Sequence, residues 1–310
     1  MLDRFKEIPP STRGAILLVT GISVFGFSDN LTLLVSDQVG VGQFHFSRSL
    51  IAVFMVLALG RIFGLGVWPK NWKPVLARTV FIVMSMLLYF RVLPMMPIAE
   101  AGAGLFTSPI FVLIFSTVLF REKIGWRRVM AVAIGSTGVL LVLKPGGDGF
   151  TIYHLLPVMA GACYAIGSII TYRYCQDESP LAILMAFLIG IGTCGVLTTS
   201  GLTIFPASPE LIAEAPFLFS PWRGVDLAFW GWMMAIALGA SIALSLMTRA
   251  YQLTQTSYAA IYEYAYVISA GFFGWAFWGI TPGLISILGI ALIITAGVII
   301  VIAQQQNASE

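Results

Sequence analysis

Apolar residues in this chain come in long, nearly uninterrupted runs. A hydrocarbon core about 30 Å thick needs roughly 20 apolar residues per helix. Measured with that ruler, ten runs emerge, at about 14–35, 41–60, 74–95, 97–119, 125–143, 151–172, 180–203, 227–250, 256–279 and 282–303. Most intervals between them are short, so neighbouring helices are expected to pack as antiparallel hairpins. The exception is "IFPASPELIAEAPFLFSPWRGVD" (204–226), rich in Pro and Ser, where a short helix at the membrane surface is expected. The pattern predicts an all-α polytopic membrane protein with ten transmembrane helices.

Composition points the same way. Of 310 residues, 58% are hydrophobic and 10% charged, with a mean hydropathy of +0.92. Soluble domains carry about 25% charged residues, so this chain has too little polar surface to face water all round. No basic patch of the kind that binds nucleic acid stands out. Cys163, Cys175 and Cys194 have neither metal spacing nor the even count of a disulfide framework. They read as small apolar packing residues, and no metal or cofactor is expected.

The net charge of +3 matters through its placement. Arg4, Lys6 and Arg13 precede the first run, and Arg61, Lys70 and Lys73 lie between the second and third. Arg121, Lys123, Arg127 and Arg128 lie between the fourth and fifth, and Arg173 follows the sixth. All fall on one side, whereas the other side carries Lys144 and Arg223. By the positive-inside rule both termini are expected in the cytoplasm, with the protein integral to a bacterial plasma (inner) membrane. The polar opening "MLDRFKEIPPSTRG" leads into a full-length run and does not read as a cleaved signal peptide.

An internal repeat is visible. "LYFRVLPMMPIAEA" (88–101) aligns with "LMTRAYQLTQTSYA" (246–259) at an offset of 158, matching Leu88 to Leu246, Arg91 to Arg249 and Ala101 to Ala259. "GVLLV" (138–142) resembles "GVIIV" (297–301) at an offset of 159. This splits the runs five and five, into residues 1–146 and 147–310. An odd number of spans per copy inverts the second copy, so two inverted five-helix repeats are predicted, an arrangement typical of alternating-access transporters. "PIAEAGAGLFTSPIFVLIFSTVLFREKIGWRRVMAVAIGSTGVLLVLKPG" (97–146) resembles the first-half signature of the EamA family of the drug/metabolite transporter superfamily. It has an Ala-rich fourth span with Pro109, an acid at Glu122 beyond it, and a Gly-bearing fifth span. "FSRSLIA" (46–52) is similar to that family's second-span arginine segment. In the second half "WAFWGITPG" (275–283) has no acid at the place of Glu122. The resemblance implies the fold and a transport function; it does not carry the substrate.

Charges inside a span cost about 2.5–3.5 kcal/mol each on insertion scales, so those present mark an interior or a partner. Asp29 and Arg48 are expected at similar depth on adjacent helices, either as a structural ion pair or as lining of the outer pathway, with Ser28 and Asn30 helping to satisfy Asp29. Arg91 and Glu100 flank the turn between spans three and four, as a snorkelling pair or a gate. Arg249 is expected to snorkel at the inner end of span eight. Glu263 lies deeper. On an unbroken helix Tyr258, Tyr262 and Tyr266 form one stripe, and Tyr266 neighbours Glu263. Such a carboxylate beside phenols suits a substrate cation, a proton or Arg249. His45 and His154 read as interface residues, and Gly102, Ala103 and Gly104 as a close-approach surface on span four.

The function expected is a secondary active transporter, not an enzyme, moving a small organic metabolite by alternating access. Amino acids, amines and related zwitterionic, cationic or aromatic compounds fit Asp29, Arg48, Glu263 and the tyrosines. The partners are a small-molecule substrate and membrane lipid, not nucleic acid, with a homodimer left open. The alternative is a membrane-embedded enzyme acting on a lipid-linked substrate.

Overall fold

Away from water, an apolar chain must satisfy its backbone N–H and C=O groups internally, and within a single segment the helix does so. The computed structural model describes residues 8–309 except 93–94, 97, 106, 122–124, 144–152, 154 and 282. Among the described residues every regular element is a helix. In chain order these are α1 (Pro10–Thr32), α2 (Val41–Phe63), α3 (Trp72–Phe90), α4 (Ile98–Leu105) and α5 (Ser108–Val118). Then come α6 (Trp126–Leu143), α7 (Leu155–Tyr174), α8 (Pro180–Ile204), α9 (Pro209–Glu214) and α10 (Pro216–Phe219). The last four are α11 (Leu227–Leu253), α12 (Thr256–Tyr262), α13 (Ala265–Trp278) and α14 (Leu284–Ser309). Among the described residues six helices (α1, α2, α3, α7, α8 and α11) are long and apolar enough to cross a membrane. The chain is an integral membrane protein.

Prolines open several helices, where the missing N–H costs nothing: Pro10, Pro180, Pro209 and Pro216 stand at first helical positions. Gly64 (φ 62°) and Gly279 (φ 68°) end α2 and α13 in the left-handed conformation that a side chain would disfavour. The segment 204–226 carries two short helices, α9 and α10. It is tied to α2 by a reciprocal amide pair: Gln43 Nε2 donates to Arg223 O (2.8 Å) and Arg223 N–H to Gln43 Oε1 (2.9 Å).

Two apolar runs that read as single helices are each interrupted near the middle. The run 97–119 is α4 and α5, and the run 256–279 is α12 and α13. Pro109 explains the first, because it lacks the N–H that a continuous helix would use. Thr107 N–H instead bonds Gly104 O (3.2 Å), and Ile110 N–H bonds Thr107 O (3.0 Å). The second has no proline. Its backbone tightens to three-residue spacing, with Glu263 N–H to Ala260 O (3.3 Å), Tyr264 N–H to Ile261 O (3.3 Å) and Tyr266 N–H to Glu263 O (2.9 Å). A short 3₁₀ stretch inside a helix often marks a functional hinge.

In packing, α1 lies against α11 and α13, and α3 against α7 and α8. The helix α2 meets α8 and α11; α6 meets α14; and α7 meets α4 and α5. Between α6 and α14 backbones nearly touch: a Cβ on Gly138 would stand 2.5 Å from Gly289 O. Such close approach is how helices gain contact where lipid supplies no hydrophobic drive. Side chains from α1, α3, α7, α11 and α13 meet in one buried core that includes Phe25, Met86, Leu244 and Met247. Phe54, Ile62, Leu197 and Leu288 are exposed, as expected of a surface solvated by acyl chains.

The bundle is fastened at the end where α1 begins. The Glu178 carboxylate, 6% exposed, accepts from Lys70 N–H (2.9 Å) and Asn71 N–H (2.7 Å) at the start of α3. Gln252, near the end of α11, donates through Nε2 to Cys175 O (2.8 Å) and Glu178 O (2.7 Å). One short loop thereby ties α3, α7, α8 and α11 together.

Candidate functional site

A carboxylate withdrawn from water must receive its hydrogen bonds from the protein, and both acids inside the bundle do. Asp29, on α1, is 2% exposed. Its Oδ2 accepts from Tyr89 OH of α3 (2.8 Å) and Tyr266 OH of α13 (2.7 Å). The two hydroxyls are themselves 2.6 Å apart. Three oxygens thus stand in mutual hydrogen-bond contact, while two phenols supply only two protons. One more proton, on the carboxyl, would complete the ring.

Glu263, 0% exposed, caps α12 at the break in the ninth run. Its Oε2 accepts from Ser108 Oγ (2.6 Å), the first residue of α5. Its Oε1 accepts from Tyr251 OH of α11, and Tyr164 of α7 adds a further hydrogen bond. Ser168 bonds both of these phenols in turn. Tyr164, Tyr251 and Ser168 also line a cavity of about 20 Å³ with Arg78, Phe25 and Leu105. That is room for about one water. The carboxylate is therefore solvated by hydroxyls, from helices on both sides of the two broken runs.

The break in the ninth run sends three neighbouring side chains to different partners. Glu263 goes to Ser108 and Tyr251, Tyr264 to Ser136 of α6 (3.1 Å) and Tyr266 to Asp29. Gly102 on α4 makes room for the last of these. A Cβ there would fall 2.0 Å from Tyr266 Cε1, so a glycine is required for the ring to reach Asp29.

The single tyrosine stripe expected from an unbroken helix is absent for the same reason. Tyr262 lines a groove with Val19, Ile293 and Val298 rather than Glu263. Tyr258 receives the Arg128 guanidinium 3.7 Å from its ring centroid. Arg249 is exposed and donates to Gln252 Oε1 (3.2 Å), not to Glu263. Ser28 and Asn30 do not serve Asp29. Ser28 Oγ donates to Ile236 O (3.1 Å) and Asn30 Nδ2 to Gly26 O (2.9 Å) and Ala270 O (3.2 Å).

Arg48 is buried within electrostatic range of Asp29, but its Nη2 donates to His45 Nδ1 (3.3 Å). His45 is 0% exposed, unlike the interface residue expected, because it lies against Phe44 and Phe90 with ring centroids 5.4 and 4.8 Å away. Arg91 is exposed and lines a cavity of about 300 Å³ that also reaches His45. Glu100 stands on the first turn of α4, and its side chain lies outside the described residues, as do Glu122 and His154. Tyr89, Tyr164, Tyr251 and Ser108 were not singled out by the sequence. Their only signal was a hydroxyl inside an apolar run, and their acid partners are 12 to 155 residues away.

Comparison with known proteins adds a lineage to this geometry. The pseudopaline exporter CntI of Pseudomonas aeruginosa is 21% identical over 285 residues, covering 91% of this chain and 94% of the exporter. A riboflavin transporter of Vibrio cholerae is 25% identical over 291 residues, covering 91% and 90%. An S-adenosylmethionine uptake transporter of Rickettsia bellii is 21% identical over 285 residues, covering 90% and 88%. A solved crystal structure superposes with a TM-score of 0.73 at 16% identity, over 94% of this chain and 98% of the other, a likeness of fold. The EamA-like transporter family matches at residues 12–144. That match spans less than half of the chain and marks its first-half segment as similar to the family.

Proposed function

We propose that the chain is a secondary active transporter that moves a small organic metabolite across the membrane by alternating access. Its ten spans are read as two inverted five-helix repeats, 1–146 and 147–310. Both termini are placed in the cytoplasm on the Lys/Arg asymmetry. The repeat is supported by the packing. Exchanging the halves turns the α1–α11 contact into α7–α3, α2–α11 into α8–α3, and α1–α13 into α7 with the broken fourth run. The α2–α8 and α6–α14 contacts map onto themselves. Ser108 and Tyr266, separated by the repeat offset of 158, each donate to a buried acid.

The observation that carries the reading is Glu263, wholly buried at a helix break and held by hydroxyls from both halves. A buried carboxylate whose ligands are displaceable hydroxyls can exchange them for a substrate ammonium or a proton. Asp29, with its incomplete ring of protons, can do the same. The substrates that fit are amino acids, amines and related zwitterionic, cationic or aromatic metabolites. The named relatives are an exporter of pseudopaline, a transporter of riboflavin and an uptake transporter of S-adenosylmethionine, so proteins similar to this chain carry varied cargo. The test is a thermal-shift screen of purified protein against a metabolite library, followed by counterflow of the hits in reconstituted vesicles. Saturable counterflow that Glu263→Gln alters supports the reading. Hits that bind without any counterflow refute transport.

A further inference from the structure

Beside the Glu263 cluster a second buried cation faces a cavity. Arg78, on the first half of α3, is 6% exposed. Its Nε donates to Thr171 Oγ1 of α7 (3.3 Å), and Thr171 Oγ1 gives its own proton to Gly167 O (2.8 Å). Among the described residues the guanidinium makes no other hydrogen bond. The ionisable side chains in its field are Tyr164 and Cys175, neither of them a carboxylate. Nη1 and Nη2 are not closed off in the packing as Arg48 Nε is. Arg78 instead forms part of the wall of the cavity of about 20 Å³, so its free N–H groups open into that space. A buried charge left without a partner is strongly destabilising, and Arg78 has its partner still to find.

The other polar groups of that wall can be followed proton by proton. Tyr164 and Tyr251 direct their hydroxyl protons to Glu263. Ser168 bonds both phenols, and because their protons are committed it must be the donor. Thr248 of α11, 4% exposed, lines the same cavity, and among the described residues its hydroxyl has no hydrogen-bond partner. Two helices thus present spare donors to one small space, the Nη groups of Arg78 and the hydroxyl of Thr248. Buried donors almost always have a partner, and an exception calls for a missing acceptor. A water would meet the hydrogen bonds but not the charge. Glu263 does not meet it either, since Ser108, Tyr251 and Tyr164 occupy its oxygens.

We propose that this cavity is a binding site for a monatomic anion of the size of chloride, held by Arg78 and Thr248. The site does not depend on which molecule the chain transports. A halide brings one negative charge for one guanidinium and accepts from N–H and O–H donors alike. The volume selects it: a carboxylate or phosphate needs three or more heavy atoms where there is room for about one water. The rest of the wall is apolar, with Phe25, Ile82 and Met247 among its side chains. The low dielectric of such a wall strengthens the attraction between guanidinium and anion.

The test uses the full chain purified in detergent with sodium gluconate as the only salt. Replacing gluconate by chloride or bromide at constant ionic strength should raise the denaturation midpoint saturably, because a ligand of the folded state stabilises it. Acetate and sulfate should not. Thr248→Val keeps the shape and removes the hydroxyl, and should weaken chloride by about tenfold. Thr248→Ser restores the hydroxyl and should bind as the parent does. Arg78→Gln should lose the halide response; if that variant does not fold, the Thr248 pair decides. Crystals grown in bromide should show an anomalous peak in the cavity against Arg78 and Thr248. The proposal is overturned if chloride does no more than gluconate, if acetate stabilises more than chloride, or if Thr248→Val binds chloride as tightly as the parent. Bromide peaks confined to the protein surface would overturn it as well.

Discussion

Removing the Glu178 carboxylate should loosen the end of the bundle where α1 begins. The side chain accepts two backbone N–H bonds, at 2.9 and 2.7 Å, and is 6% exposed. Hydrogen bonds to a charged group contribute about 1.5–3 kcal/mol each. The donors Lys70 and Asn71 are on the exposed side, so water replaces part of what is lost, and about 3 kcal/mol for the pair is a conservative figure. At about 1.4 kcal/mol per tenfold change, Glu178→Ala should raise the local opening equilibrium by about a hundredfold. Cys175 reports that opening. Its side chain is 0% exposed and packs with Val75, Ile183 and Ala186 beneath the fastening. With Cys163 and Cys194 replaced by alanine, maleimide labelling of Cys175 should follow the open population when closing outpaces reaction. Labelling should be slow in the parent, about a hundredfold faster in Glu178→Ala, and intermediate in Glu178→Gln, which keeps one acceptor oxygen. Equal labelling rates in Glu178→Ala and the parent would refute the idea that this carboxylate holds α3 to the α7–α8 loop.

Tyr266→Phe removes a hydroxyl from the Asp29 ring and should lower stability in detergent by about 1.5–3 kcal/mol; an unchanged denaturation midpoint would refute it. Gly102→Ala drives a methyl into the Tyr266 ring and should depress both stability and transport. Gly271→Ala, where a Cβ meets open space, should be neutral or mildly stabilising, so equal loss in both variants would count against the packing argument. Glu263→Gln keeps one acceptor oxygen for Ser108 or Tyr251, turns the other position into a donor and removes the exchangeable charge. Gradient-driven uptake should fail or lose its pH dependence while folding persists, and unchanged uptake and pH dependence would defeat a role for the acid.

The sequence was informative where one dimension suffices. A ruler of 20 residues finds the runs, because the bilayer imposes their length. Pro109 stood in the sequence as a visible reason for the break that begins α5. The break at Glu263–Tyr264 had no such marker. It arises from side chains drawn to α5, α6 and α1, none of them close in sequence, and it redirects Tyr266 away from Tyr262. Depth along a helix put Asp29 and Arg48 together but said nothing about rotation, and rotation decides that Asp29 faces phenols and Arg48 faces His45. Tyr89, Tyr164 and Tyr251 were indistinguishable from other aromatic residues in apolar runs, since what selects them is a partner on another helix.

The Asp29 ring has a consequence for how the chain is made. Tyr89 follows Asp29 by 60 residues, but Tyr266 follows it by 237. During synthesis the first acid must therefore wait in the bilayer with one phenol until the ninth run arrives. Glu263 faces the opposite situation, since Ser108, Tyr164 and Tyr251 all precede it. Its insertion can be templated by a bundle already in place. The last runs to leave the ribosome thus complete the first, and a nascent chain interrupted before residue 266 presents quality-control machinery with a carboxylate still short of a ligand.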